Sequence, residues 1–256
     1  MITFIEIFEE RKSEIYEFME LLVWLENSKQ LINNDGESEF DRFFYSNAKA
    51  VHLSYTSMIN ILKADVALML YSLVEFTVVN LINNIYDEIQ TRKLSYDRAS
   101  EEIRKLWRTS NCKYVKNNNV KLETIQKKTK DIIESVLNKK VIKLNYRDSL
   151  PTGNLNAKKI YQLFLGHGMD IYANGGCKDL TALDQIRETR NKLAHGEVSF
   201  EEAVRQLGIS DLKQSINIIA DFLDSLIELV NNYLDCRCYE AEGQMNTKSK
   251  RKTVKK

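Results

Sequence analysis

The sequence predicts an all-α protein, a helical bundle with long central helices. Two observations lead to this fold class. The 256 residues include only nine glycines and one proline, Pro151, so few positions favour tight turns and long stretches run without a helix breaker. Apolar side chains also recur at helical spacing through most of the chain. This composition argues against a β-sandwich, a barrel or a glycine-rich nucleotide fold.

The helices follow in order from the apolar spacing. The first is amphipathic and ends at the turn signal Asn33–Gly36. The third has apolar residues on more than one face, which is typical of a helix inside a bundle. The predicted helical regions are 5–31, a region from about Asn47, 62–89, 97–110, 120–137, 157–165, a helix ending near His195, a short helix after Ser199, and a last helix from Ser210.

Several helix ends carry recognisable signals. Asp179 or Thr181 can cap the helix that ends near His195, and Gly196 is placed to terminate it in the left-handed conformation. Ser199 and Glu202 have the spacing of a capping box. The last helix keeps a 4-3 apolar repeat, which predicts one buried stripe through Leu212, Ile216, Ile219, Leu223, Leu226, Val230 and Tyr233.

One segment does not follow the helical pattern. We expect an irregular or β-like insertion near 141–176, because Val141–Tyr146 alternates as a short strand does and four glycines cluster after it. Residues 111–119, rich in asparagine, predict an exposed loop.

The chain is interpreted as one helical domain followed by a tail. The domain covers 1–239, with N-terminal helices in 1–110, a basic helix and connector in 111–178, and the remaining helices in 179–239. The tail, 240–256, is basic with little to bury and is predicted to be disordered.

Charge is distributed unevenly, although the formal net charge is only +1. Residues 1–46 hold eleven acidic and four basic side chains, whereas residues 103–147 hold three acidic and thirteen basic ones. The basic stretch includes Lys127, Lys128 and Lys130, which are candidates for contacts with an RNA backbone. A solvated helix face explains the same charges equally well.

The sequence predicts a cytoplasmic location, with neither a membrane span nor a cofactor. The first ten residues are acidic where a secretory signal needs basic ones. The apolar stretch 61–89 includes Lys63, Asp65 and Glu75, which favours a core helix over a span. Four cysteines fit a reducing compartment, and Cys236 and Cys238 have no neighbouring ligands for a metal. Phosphate-binding and dinucleotide-binding glycine motifs are absent.

Among the three histidines, His195 is the one with chemically useful polar residues close to it in the sequence, and His52 and His167 are interpreted as structural. Arg190 precedes His195 by five positions and projects from the apolar face Leu183, Ile186, Leu193 and Ala194, so its charge needs a partner or a site. The two residues lie about 140° apart around a helix and about 7.5 Å apart along it. One alternative is structural, with Arg190 paired to a buried carboxylate and His195 interacting with the helix dipole.

The segment Arg190–Gly196, followed by Ser199–Glu202, resembles the motif of the HEPN superfamily, in particular the MAE-type HEPN-like nucleases of prokaryotes. The similarity extends to Leu62-Lys-Ala, to Leu70–Glu75 and to Gly153–Ile160. It implies a helical bundle that forms a homodimer with the motifs facing each other. It also implies RNA cleavage without a metal, in a defence or toxin–antitoxin setting with a cognate partner protein.

The resemblance also assigns roles. Arg190 would contact phosphate, Asn191 would be the second polar residue of the motif, and His195 would be the acid/base; Arg187 and Lys192 are further candidates for RNA contacts. One subgroup has a tyrosine two residues after the histidine, where this chain has Glu197. The main alternative is a catalytically silent HEPN-type module that binds nucleic acid or protein. A metal-dependent DNase is disfavoured, because no acidic cluster accompanies the histidine.

Overall fold

The computed structural model describes residues 3–35, 54–112, 121–149, 154–172 and 180–242. All regular elements in these ranges are α-helices, which confirms the predicted fold class. They are α1 (Phe4–Asp35), α2 (Tyr55–Thr91), α3 (Glu101–Asn111), α4 (Leu122–Leu137), α5 (Tyr146–Ser149), α6 (Ala157–Gly166), α7 (Thr181–Ala194), α8 (Phe200–Ala203) and α9 (Ile209–Asp235). The predictions that involve Asn47, His52, Asp179, most of the loop 111–119 and the tail beyond Glu242 fall outside the described residues.

The chain forms two compact units. The first contains residues 1–77 and 179–222, and the second contains 78–178 and 223–256. Two of the three boundaries, 77/78 and 222/223, fall inside the long apolar helices α2 and α9. The predicted limits of one domain over 1–239 and a tail over 240–256 stay predictions.

The first unit is built around apolar stripes at helical spacing. Helix α1 buries Phe8, Ile15, Met19 and Leu22, and α9 buries Leu212, Ile216 and Ile219 in the pattern that the 4-3 repeat predicts. The Tyr16 hydroxyl donates a hydrogen bond to Asn217 Oδ1 at 3.1 Å. Burial of each such side chain stabilises the fold by about 1.5–3 kcal/mol.

Helix α2 is the most apolar element of the described chain. It is the one helix there that is long and apolar enough to cross a membrane, yet 56% of its most apolar window is buried inside the protein, as in a core helix. Lys63 is also buried, and its ammonium donates a hydrogen bond to the Leu207 carbonyl at 2.7 Å. A buried charge of this kind needs such a partner.

In the second unit, α3 begins later than the predicted residue 97. Ser100 is the N-cap, and its hydroxyl accepts a hydrogen bond from the Ile103 amide. Arg104 donates to the Tyr96 and Asp97 carbonyls, which holds the preceding turn outside the helix. Local side-chain bonding therefore sets this boundary.

The alternating segment Val141–Tyr146 does not form the short strand that its pattern predicts. Within the described residues Val141 makes an isolated antiparallel bridge to Ser95, and Tyr146–Ser149 is a helical turn. Strand pairing needs a partner with a free edge, and the segment next to Ser95 is a turn, so the pairing ends after one residue.

The end of α9 and the residues that follow it belong to the second unit. Cys236 and Cys238 form a disulfide across Arg237, whose φ of 50° is left-handed. Tyr239 is fully buried and donates its hydroxyl proton to Glu88 at 3.1 Å. No metal ligands lie near these cysteines in the sequence, and the structure joins the two sulfurs to each other.

Candidate active site

The candidate site lies at the end of α7, in the first unit. His195 is the C-cap, and Gly196 follows with a φ of 67°, as the sequence predicts. The Gly196 amide donates to the Leu193 carbonyl at 3.1 Å, and the Glu197 amide donates to the Lys192 carbonyl at 2.9 Å. These two bonds form a Schellman motif, so the backbone at His195 is fixed.

The next helix begins almost immediately. Ser199 and Glu202 form the predicted capping box, in which each side chain accepts from the backbone amide of the other residue. At the other end of α7 the prediction for Thr181 is wrong. Leu180 occupies the N-cap without a side-chain bond, and Thr181 is the first helical residue. The buried side chain of Leu180 supplies apolar packing where a cap was expected.

Arg190 is half-buried on α7. Its guanidinium carbon lies 5.3 Å from the centroid of the buried Tyr71 ring, on α2. Its Nη1 also donates to Asn191 Oδ1 at 3.2 Å. The aromatic face of Tyr71 and the neutral amide of Asn191 orient the guanidinium.

His195 is exposed, and its ring makes no hydrogen bond within the described part of the chain. The structure therefore brings Arg190 and Asn191 together but does not bond His195 to either side chain. Helical geometry explains this, because the side chains of Arg190 and His195 leave the helix about 140° apart.

The other predicted contact residues of α7 lie beside the motif. Arg187 is half-buried, with its Nη2 3.6 Å from a Glu188 carboxylate oxygen. Lys192 is exposed. The apolar face of α7 is as predicted at Leu183 and Ile186, which are buried, whereas Ala194 is exposed.

The three candidate lysines of the basic stretch lie on α4, in the second unit. Lys127, Lys128 and Lys130 are all exposed, and α4 has no buried residue. The Lys130 ammonium lies 3.7 Å from the Glu134 carboxylate, and both side chains are exposed, so this pair is weak. The α4 surface is therefore accessible to an anionic ligand.

His167 belongs to the core of the second unit. Its Nδ1 lies 2.7 Å from the Leu163 carbonyl and must donate, so its Nε2 accepts from the Tyr86 hydroxyl at 3.0 Å. Burial lowers the pKa of His167 to about 4, so the ring is neutral near pH 7. The structural interpretation of this residue is confirmed.

No group of three or more histidine, cysteine, aspartate or glutamate side chains with metal-binding geometry occurs in the described ranges. The chemistry available at the end of α7 is that of an exposed imidazole and an oriented guanidinium. Sequence reasoning missed Tyr71, although it lies in the segment Leu70–Glu75 that carries part of the resemblance. In the apolar pattern of the helix, the position of Tyr71 is indistinguishable from that of a core residue.

The protein-family model HEPN_MAE_28990, which describes a HEPN-like domain, matches residues 3–239 of the chain. Neither the curated proteins nor the solved structures include a match.

Proposed function

Because the chain belongs to the MAE-type HEPN-like family, we propose that it is a cytoplasmic endoribonuclease that cleaves RNA without a metal ion. The observation that carries the proposal is the end of α7. There an oriented, half-buried Arg190 precedes an exposed His195 whose backbone is fixed by two hydrogen bonds.

In the proposed reaction, the imidazoles transfer protons and Arg190 stabilises negative charge. One imidazole takes the proton of a ribose 2′-OH, and the 2′-oxygen attacks the adjacent phosphorus. The bond from phosphorus to the 5′-oxygen breaks, and an imidazolium gives that oxygen a proton. The products are a 2′,3′-cyclic phosphate and a 5′-hydroxyl. Arg190 stabilises the added negative charge through parallel hydrogen bonds to two phosphate oxygens.

A homodimer supplies the second imidazole. One His195 cannot both take and give a proton in the same step, and within one chain Arg190 and His195 face different sides of α7. Two copies of α7 at a two-fold axis place each arginine near the other chain's histidine. Arg187 and Lys192, beside the motif, then contact the RNA backbone, as do Lys127, Lys128 and Lys130 on α4. A defence or toxin–antitoxin setting with a cognate partner protein follows from the same proposal.

The first test is RNA cleavage in EDTA, with an all-DNA strand of the same sequence as the control substrate. We expect cut RNA with cyclic phosphate ends and intact DNA, because the nucleophile is the 2′-OH. Cleavage that EDTA abolishes and a divalent metal restores would overturn the mechanism. RNA that binds and stays intact would identify the catalytically silent module instead.

The second test uses two substitutions with a matched control. His195→Ala and Arg190→Ala should each lower the cleavage rate about 10²-fold to 10⁴-fold. Lys213→Ala removes an exposed charge from α9 and should leave the rate unchanged. Circular dichroism must show all three folded; an unfolded Arg190→Ala protein would assign that residue a structural role.

A further inference from the structure

The side of α7 next to the motif borders a recess of about 510 Å³ in the first unit. Its walls come from α7, from the connector that follows α8, and from the start of α9. The volume lies in the range of small-molecule sites, about 300–1,000 Å³. The polar groups on the walls are those of Gln185, Thr189, Lys192, Glu202, Arg205 and Gln206.

The lining combines the three kinds of group that a nucleotide needs. Ile186 is buried and, with Leu207, gives an apolar floor for the flat base. Lys192 and Arg205 are exposed cations suited to phosphate. Glu202 and the side-chain amides of the glutamines can bond the edge of a base.

We propose that this recess binds the base and phosphate of one nucleotide of single-stranded RNA, beside the bond that His195 acts on. The inference rests on the proposed nuclease function and names the part of the substrate that determines specificity. Single-stranded RNA presents unstacked bases whose edges are free for such recognition.

Lys192 connects the recess to the motif. It precedes His195 by three residues, which places it about 4.5 Å away along the helix axis and about 60° around it. Consecutive phosphates can therefore contact His195 and Lys192, and the next base enters the recess. Arg190 lies on the opposite side of Ile186 and is left for the reacting phosphate.

The recess is held open by hydrogen bonds that do not involve its polar walls. The buried ammonium of Lys63 donates to the Leu207 carbonyl at 2.7 Å, which fixes the connector. The Gly208 amide donates to the Asp211 carboxylate at 3.1 Å. Of the groups that would bind the ligand, Glu202 is held in the capping box, and Arg205 Nη2 lies 3.9 Å from the Glu201 carboxylate, an exposed and weak pair that a phosphate can replace.

Glu202 gives the recess a preference among bases. Its carboxylate lies 3.4 Å from the Ser199 amide and retains further acceptor positions. A carboxylate only accepts hydrogen bonds, so it favours the amino groups of adenine and cytosine over uracil, whose single N3–H donor lies between two carbonyl oxygens that repel the carboxylate. The phosphate then lies toward Lys192 and Arg205, away from this negative charge.

The experiment measures binding of fluorescein-labelled oligo(A), oligo(C) and oligo(U) heptamers by fluorescence anisotropy, with the full chain carrying His195→Ala so that RNA stays intact. We expect oligo(A) and oligo(C) to bind about tenfold more tightly than oligo(U). Glu202→Gln, which can keep the capping box, should remove most of that preference. Its matched control is Glu201→Gln, at a carboxylate that does not line the recess and lies 3.9 Å from Arg205 Nη2, so it should leave the preference among bases unchanged.

The second arm tests the phosphate contact. Arg205→Ala should weaken all three RNAs about threefold to tenfold at low salt and reduce the salt dependence, whereas Lys213→Ala should not. Equal affinity for the three heptamers, or the same change with Glu201→Gln as with Glu202→Gln, would overturn the inference.

Cleavage by the chain with His195 intact separates this inference from the proposed function. Bound RNA whose base preference depends on Glu202, but which the intact chain leaves uncut, supports the recess and rejects the nuclease. RNA that is cut while Glu202→Gln and Arg205→Ala change nothing supports the nuclease and rejects the recess.

Discussion

Gly196 allows a direct test of whether the left-handed end of α7 stabilises the protein. Its φ is 67°, and a Cβ built on this backbone has no atom within 4 Å. Substitution by alanine therefore meets no steric obstacle, and its cost comes from the backbone conformation alone. An L-residue other than glycine pays about 1–2 kcal/mol to adopt this region.

The expected loss translates into a measurable melting temperature. In a chain of this size, 1 kcal/mol of stability corresponds to about 2–4 °C, so Gly196→Ala should melt about 2–8 °C below the wild type. The assay is thermal unfolding followed by circular dichroism. Gly196→Asn is the matched control, because asparagine tolerates the left-handed region and should lose less than alanine does.

Two results would refute this reasoning. One is a melting temperature for Gly196→Ala equal to that of the wild type, which would mean that the residue is not left-handed in solution. The other is a larger loss for Gly196→Asn than for Gly196→Ala, which would mean that side-chain size and not φ determines the cost.

Three further predictions address other parts of the molecule. Because burial lowers the pKa of His167 from 6.5 to about 4, the unfolded chain binds more protons than the folded one between these pH values. The free energy of unfolding should therefore fall by about 3 kcal/mol as the pH drops from 6.5 to 4. Urea melts should show that the unfolding free energy depends less steeply on pH in His167→Gln than in the wild type, and an equal dependence would contradict the burial. Replacing Lys127, Lys128 and Lys130 together with glutamate should raise the RNA dissociation constant and flatten its salt dependence in anisotropy titrations, and unchanged binding would assign α4 to a solvated surface. Excess His195→Ala chain, co-refolded with a fixed amount of wild type, should inhibit cleavage if the proposed dimer needs both imidazoles. Activity that follows the wild-type chain alone would reject the shared site.

The helices were largely predictable because apolar residues that recur at helical spacing can be recognised directly in the sequence. All members of the predicted stripe in α9, from Leu212 to Tyr233, are buried. Helix boundaries were less predictable where side chains form hydrogen bonds with the backbone at the end of a helix. The start of α3 shifted from residue 97 because the Ser100 hydroxyl caps the helix and Arg104 holds the turn before it.

The site was predictable only in part. The sequence predicts Arg190, Asn191 and His195 as site residues, and the structure confirms the predicted end at Gly196 and the predicted cap at Ser199 around them. It could not identify Tyr71 beneath Arg190, because an aromatic residue in an apolar helix has the same spacing whether it packs on a cation or on a leucine. It also could not identify the recess, because Gln185 and Gln206 come together only when α7 and the connector after α8 pack.

The fixed end of α7 limits the space that the His195 ring can sample. The two Schellman bonds and the capping box, which begins at Ser199, leave little backbone freedom around the histidine. A histidine has two side-chain torsions, so the exposed ring loses only a modest conformational entropy, of order 1 kcal/mol, when a ligand holds it in place. The exposed imidazole can thus remain both accessible and nearly prearranged, because its mobility is confined to the side chain.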